Sequence, residues 1–220
     1  LPESLSHFHV TYRGETLGDF KLHVPGIHNI LNATAAIAVG VGLDIPIAQI
    51  HSALASFAGV DRRFQLRGTA GGVSVIDDYG HHPTEIRATL AAARECGYRK
   101  VHVVFQPHRY TRTQSLMDEF ATAFENADSL FVLDIYPAGE PPIPEITGEA
   151  LARRIGEKGT PRAKYVSSFE NAATSVIADA QEGDMILTLG AGSVSQLGPM
   201  IIEKLQLRGA ESPTPVAISQ

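Results

Sequence analysis

Two short segments of the sequence hold most of its chemistry-bearing side chains. Asp77-Asp78-Tyr79-Gly80-His81-His82-Pro83 sets two carboxylates and two imidazoles around one tight turn. Three readings of it stand open. His82-Pro83-Thr84-Glu85 has the form of a helix start, with Asp77 or Asp78 free to cap the turn's amides. Histidine and aspartate are also zinc ligands, although adjacent histidines point apart unless the backbone bends sharply between them. The preferred reading is a polar clamp on a bound molecule. The second segment, His108-Arg109-Tyr110-Thr111-Arg112, places two guanidiniums three residues apart. A solvated loop would show the same composition. Directly after an apolar run and ahead of a helix, however, the pair suits a doubly charged ligand such as phosphate.

Weaker signals surround these two. Gly190-Ala191-Gly192-Ser193 resembles a phosphate-binding turn but lacks the third glycine of G-x-G-x-x-G, and it serves equally well as a plain strand-to-helix turn. Asn29 and Asn32 are spaced to share one helix face, directly after His28, and polar amides in an alanine-rich helix need partners. Arg62 and Arg63 precede Phe64 and could be surface charge. His7, His9, His23, His51 and His102 have no constellation around them and read as structural. Cys96 has no base near it in sequence and reads as inert.

The elements that must position these groups follow from hydrophobic rhythm. Residues 7–24 alternate around Arg13-Gly14, as a hairpin does. Residues 27–41 predict a buried, alanine-rich helix, and Pro46 opens a second helix that Gly59 ends. Apolar runs then recur at 73–76, 101–105, 130–135, 164–166 and 185–189, with helical patterns near 84–96, 115–127, 147–158, 170–181 and 195–206. Such alternation predicts an α/β fold, a doubly wound and mostly parallel sheet with helices on both faces. In that architecture ligands bind at the carboxyl ends of the strands, and both segments fall there. The stretch Arg67 to Gly72 reads as a flexible joint, giving one unit over 1–67, a second over 68–207 and a disordered tail over 208–220.

Composition narrows the classes. The 220 residues include 18 basic and 24 acidic side chains, for a formal net charge of −6, which argues against a nucleic-acid binder. Thirteen of the basic residues are arginine, the side chain suited to gripping phosphate and carboxylate. One cysteine excludes a disulfide framework and fits a reducing, cytoplasmic setting. No apolar run has the length of a membrane span, and no secretory leader is visible. The chain begins at Leu1 rather than Met, as a piece of something longer would.

Taken in order, the motifs resemble the Mur ligases. The likeness is carried by Gly26 to Ala33 (with its His-Asn-x-x-Asn), Gly59 to Gln65, Asp77 to Ile86, Phe105 to Thr113 and Leu133 to Glu140, across roughly residues 20–205. The His-Asn-x-x-Asn and Arg-Phe elements are similar to the family at large. The Asp-Asp-Tyr-Gly-His-His-Pro and Gln-Pro-His-Arg-Tyr-Thr-Arg-Thr stretches resemble its alanine-adding branch. The tripeptide-recycling branch shares the His-His-Pro turn but differs around both. The resemblance implies a Rossmann-like C-terminal domain preceded by the end of a central ATP-binding domain. It implies ATP-driven amide formation between UDP-N-acetylmuramate and L-alanine through an acyl phosphate, with magnesium ligands expected in a preceding part. No G-x-x-x-x-G-K-[ST] loop occurs in the sequence, so the UDP-binding domain and the front of the ATPase domain are expected to be missing and the chain alone inactive. Residue by residue, the likeness assigns Asn29, Asn32, Arg63 and Asp78 to the nucleotide, with Arg62 second to Arg63 and Asp78 on the ribose hydroxyls. It assigns Tyr79, His81, His108, Arg109 and Arg112 to the acyl phosphate and the amino acid, and implies a domain closure hinged at 68–72. A tripeptide-adding ligase and a stand-alone nucleotide-binding or regulatory module are the alternatives.

Overall fold

The computed structural model describes residues 6–158 and 161–211. Strands β1 (Ser6–Tyr12) and β2 (Glu15–Leu22) form the expected antiparallel hairpin. Arg13 and Gly14 both take positive φ in its two-residue turn, the twist that hairpins favour. Helices α1 (Ile27–Gly42) and α2 (Ile47–Ser56) pack on the hairpin through Phe20, Ile37 and Ile50. Gly40 has no side chain where Ile50 approaches, so the two helices come close. One expectation fails here. α1 buries only Ala33, Ile37 and Gly40, while Ile27, Leu31 and Val39 are more than half exposed, because nothing among the described residues covers that face.

The remainder is one six-stranded sheet: β3 (Gln65–Ala70), β4 (Val73–Asp78), β5 (Val101–Phe105), β6 (Ser129–Val132), β7 (Ala163–Tyr165) and β8 (Met185–Leu189). Their order across the sheet is β3-β4-β8-β5-β6-β7, parallel throughout except for the antiparallel edge pair β3·β4. Helices α3 (Pro83–Glu95), α4 (Tyr110–Ser115), α5 (Met117–Phe120), α6 (Gly148–Gly156), α7 (Phe169–Asp179) and α8 (Leu197–Glu211) complete the second unit. Alternating strand residues feed two cores. Val101, Val103 and Phe105 meet Leu90, Phe120, Phe124 and Leu151 on one face. Val75, Val104 and Ile186 meet Val176, Ile201 and Leu205 on the other. Burying both faces makes the central strands continuous apolar runs, which is why they were legible.

Three boundaries differ from expectation. The stretch 68–72 is not a loose joint: it is the second half of β3 and its hairpin turn, so a hinge there has no support and the sheet begins at Gln65. A register shift between Leu66 and Gly68 interrupts the alternation that would have marked β3 as a strand. The helix expected at 115–127 is reduced to the short α5 over 117–120, with turns from 121 to 126, and α4 stands ahead of it at 110–115. The tail expected at 208–220 starts inside α8, and its residues 212–220 lie outside the described residues.

Candidate functional site

Because β8 is inserted between β4 and β5, three strand ends and their loops stand side by side. Gly190 N donates to Asp78 O and Gln106 N donates to Leu189 O, so the chain leaving each strand is tied to its neighbour. The buried Gln106 amide adds a further tie, accepting from Val194 N at 3.0 Å.

The Asp-Asp-Tyr-Gly-His-His-Pro turn divides its labour. His82 is the N-cap of α3, accepting from Thr84 N, and Glu85 Oε2 accepts from the backbone N–H of His81 and of His82 at 3.0 and 3.1 Å. Capping of α3 therefore belongs to His82 and Glu85, while Asp78, as the capping reading allowed, accepts from the turn's Gly80 N at 2.7 Å. Burial opposes the ionisation of Glu85, but those two donors and the nearby Arg63 bring its pKa below the usual carboxylate range. Asp77, fully buried, accepts from Thr188 Oγ1 at 2.6 Å and from Arg62 Nε at 3.0 Å. Arg62 also reaches Gly190 O at 2.6 Å and lies over the Tyr79 ring. Its backbone carries positive φ, a conformation that this clamp offsets. Arg62 thus fastens the segment ahead of β3 to the strand tips, while Arg63 is left facing a cavity.

That cavity, about 750 Å³, lies between the two units. His28, Asn29, Asn32, Arg63, Asp78 and Thr89 contribute to its wall, so the structure gathers all four residues assigned to a nucleotide by resemblance. Asn29 donates to Pro25 O through Nδ2, leaving its amide oxygen for another partner. Asp78 Oδ1 accepts from Gly80 N and Thr89 Oγ1, whereas Oδ2 accepts from Phe64 N alone and keeps a lone pair. Burial is the main influence on Asp78 and raises its pKa despite these donors. His28 Nδ1 is buried without a hydrogen-bond partner, and burial lowers the pKa of that imidazole.

Tyr79, His81, His108, Arg109 and Arg112 form a second group along the strand tips. Tyr79 meets His81 edge-on with centroids 5.3 Å apart, His81 lies 5.6 Å from His108, and His108 stacks on Tyr136 at 5.6 Å. Arg112 Nη1 stands 3.3 Å from His108 Nδ1. Arg109, at positive φ, pairs with Glu140 at 3.7 Å, and Glu140 also accepts from Thr111 N and Oγ1. Burial lowers the pKa of both His81 and His108, and Arg112 adds to the effect in each. The two groups are contiguous, since Arg63 and Tyr79 lie between them at 5.8 Å. Within the 77–83 turn, Asp78 alone lines the cavity.

Several participants escaped the sequence reading: Gln106, Tyr136, Glu140 and Glu85 as positioning groups, Arg62 as a clamp, and His28 as an unpartnered cavity group. The polar endings of β5 and β6 flagged the right loops without showing which side chains would meet. Among the described residues no three His, Cys, Asp or Glu side chains gather as metal ligands. No helix among them is long and apolar enough to cross a membrane.

A sheet of this topology, with a polar edge facing a cavity shared with the preceding unit, is the frame of a ligand-binding α/β domain. Residues 62–192 match the family described as Mur ligase, glutamate ligase domain, and the chain belongs to the Mur ligase family. It is 65% identical over 204 residues to a UDP-N-acetylmuramate–L-alanine ligase of Koribacter versatilis, covering 93% of this chain and 44% of that one. The corresponding ligase of Solibacter usitatus is 56% identical, with 93% and 43% covered. The crystal structure of the UDP-N-acetylmuramate–alanine ligase of Thermotoga maritima superposes with a TM-score of 0.79 at 30% identity, over 94% of this chain and 44% of that chain. The chain therefore spans less than half the length of these relatives.

Proposed function

We propose that this chain is the carboxyl-terminal part of an ATP-dependent ligase that joins L-alanine to UDP-N-acetylmuramate. Residues up to about 64 are on this reading the end of the ATP-binding domain, and the unit that begins with β3 at Gln65 is the domain that closes over it. The observation that carries the reading is the juxtaposition of the cavity and the ring-and-guanidinium group at adjoining strand tips, in a chain 65% identical to such a ligase.

The cavity fits the nucleoside part of ATP. It is large enough for a small organic molecule, and it offers the unpartnered His28 Nδ1, the free Asn29 oxygen and the spare Asp78 lone pair. Asp78 Oδ2 would accept from a ribose hydroxyl, and Arg63 would face the phosphates. ATP supplies the phosphoryl group that activates the sugar's carboxylate. Arg109 and Arg112 would then balance charge on the acyl phosphate and grip the carboxylate of alanine. Magnesium would be held in the preceding part of the enzyme.

The test is ADP release by the enzyme carrying both this chain and the preceding part. Release is expected to depend on UDP-N-acetylmuramate and L-alanine, and Arg112→Ala should lower turnover by at least about 100-fold. Turnover with a tripeptide acceptor in place of L-alanine would move the chain to the tripeptide-adding branch. Tight ATP binding by this chain alone, without ligase activity in the longer protein, would favour a regulatory module.

A further inference from the structure

Each imidazole at the strand tips meets a partner whose hydrogen-bonding sense is fixed. His81 Nδ1 lies 3.0 Å from the carbonyl oxygen of Tyr79, which can only accept. The hydrogen must therefore sit on Nδ1, and in the neutral ring Nε2 is a bare lone pair. The carboxylate of Glu85, 3.9 Å from the same nitrogen, supports that assignment. His108 is the reverse case. Its Nδ1 faces Arg112 Nη1 at 3.3 Å, and a guanidinium can only donate. His108 Nδ1 thus accepts and its hydrogen sits on Nε2. The two rings, 5.6 Å apart, present opposite faces of histidine chemistry: one accepting nitrogen and one donating nitrogen.

We propose that His81 Nε2 is the base that takes a proton from the ammonium of the incoming amino acid, while His108 Nε2–H donates to an oxygen of the reacting group. The proposal rests on the ligase reading above and names the division of labour within it. The first proton passes from the ammonium to His81 Nε2. The freed lone pair forms the C–N bond at the acyl carbon, the C–O bond to phosphate breaks with its electron pair, and the second surplus N–H proton leaves with the phosphate. Surroundings separate the two histidines in the same sense. Protonated His81 faces Tyr79 O and Glu85 on its Nδ1 side, with Arg63, Arg112 and His108 as the opposing cations and ring. Protonated His108 would turn an N–H toward Arg112, with Arg109 beside it and only Glu140 in compensation. His108 is therefore the poorer base, although its ring is equally close to the strand tips. Tyr136, stacked on His108, fixes the plane from which its donor acts.

Two measurements test this. Nitrogen-15 NMR of the imidazoles in this chain at neutral pH should show His81 protonated on Nδ1 and His108 on Nε2; both rings protonated on Nε2 would overturn the proposal. In the longer enzyme, L-alanine is compared with hydroxylamine, a nucleophile that is largely uncharged at neutral pH and needs no base. His81→Asn keeps a donor toward Tyr79 and removes Nε2. It should lower L-alanine transfer by about 100-fold or more, the range of lost general base catalysis, while hydroxamate formation falls far less. Equal loss with both nucleophiles would reduce His81 to a positioning residue, and the same split in His108→Asn instead would exchange the roles. If the unmutated enzyme released no ADP with L-alanine, the ligase reading would fall, whatever the tautomers.

Discussion

His28, His81 and His108 are all held below the ordinary imidazole pKa of about 6.5, and burial is the leading cause in each. Their neighbours differ: Asp78 and Glu95 oppose the shift at His28, Glu85 and the Tyr79 carbonyl oppose it at His81, and Glu140 opposes it at His108. The consequence for stability has a definite sign. As pH falls through about 6.5 the unfolded chain takes up protons that the folded chain resists, so stability present above that pH is lost as it falls. Asp78, with its pKa raised by burial, acts oppositely, its contribution growing as pH falls toward the ordinary carboxylate range. Urea midpoints should therefore drop between roughly pH 7.5 and 5.5. The drop should be shallower in a His81→Asn, His108→Asn double variant, and an unchanged slope would contradict the burial account. Residue types at the site were legible in the sequence because Asp78 to His81 and His108 to Arg112 follow the ends of apolar strands, and Asn29 and Asn32 share one face of a helix. Their pairings were not: Arg62 meets Asp77 across 15 residues and Gly190 across 128, distances over which local pattern carries no information.

Elements hold the site more tightly than the sequence implied. The turn after β8, a weak phosphate fingerprint on paper, is packed against Gln106 and Tyr136. A Cβ at Gly192 would stand 2.5 Å from Gln106 Oε1 and 2.7 Å from the Tyr136 ring, although the backbone φ of −88 suits any residue. Gly192→Ala should thus leave the fold in place and push Tyr136 off His108. On the proposed reading, KM for L-alanine should rise several-fold with a smaller change in kcat, measured in the longer enzyme; unchanged kinetics would show that the ring stack is dispensable. At this scale the hairpin, α1 to α3 and the five parallel strands were readable, since period and length mark them. β3 was not, because Gly68 and a register shift break its alternation, and the exposed flank of α1 was not, because an apolar stripe looks the same covered or bare.

Across the whole molecule, strand order decides function. The sequence runs β4, β5, β6, β7, β8, and only the insertion of β8 between β4 and β5 brings Gly190, Gln106 and Asp78 together. Pairing order depends on how all the helices pack, so it could be expected from a family likeness but not read from any segment. The cavity is likewise a property of both units: α1 and α3 both contribute to its wall, and Arg62 fastens the segment that carries Arg63 to the strand tips. On the proposed reading this shared cavity takes the nucleoside and the adjoining strand tips take the amino acid. A crystal structure of the longer enzyme with an adenine nucleotide and L-alanine bound would decide the matter. Adenine and ribose are expected between α1 and α3, against Asn29 and Asp78, and the alanine within hydrogen-bond reach of His81 and Arg112. Nucleotide or alanine seated away from these residues would refute the assignment.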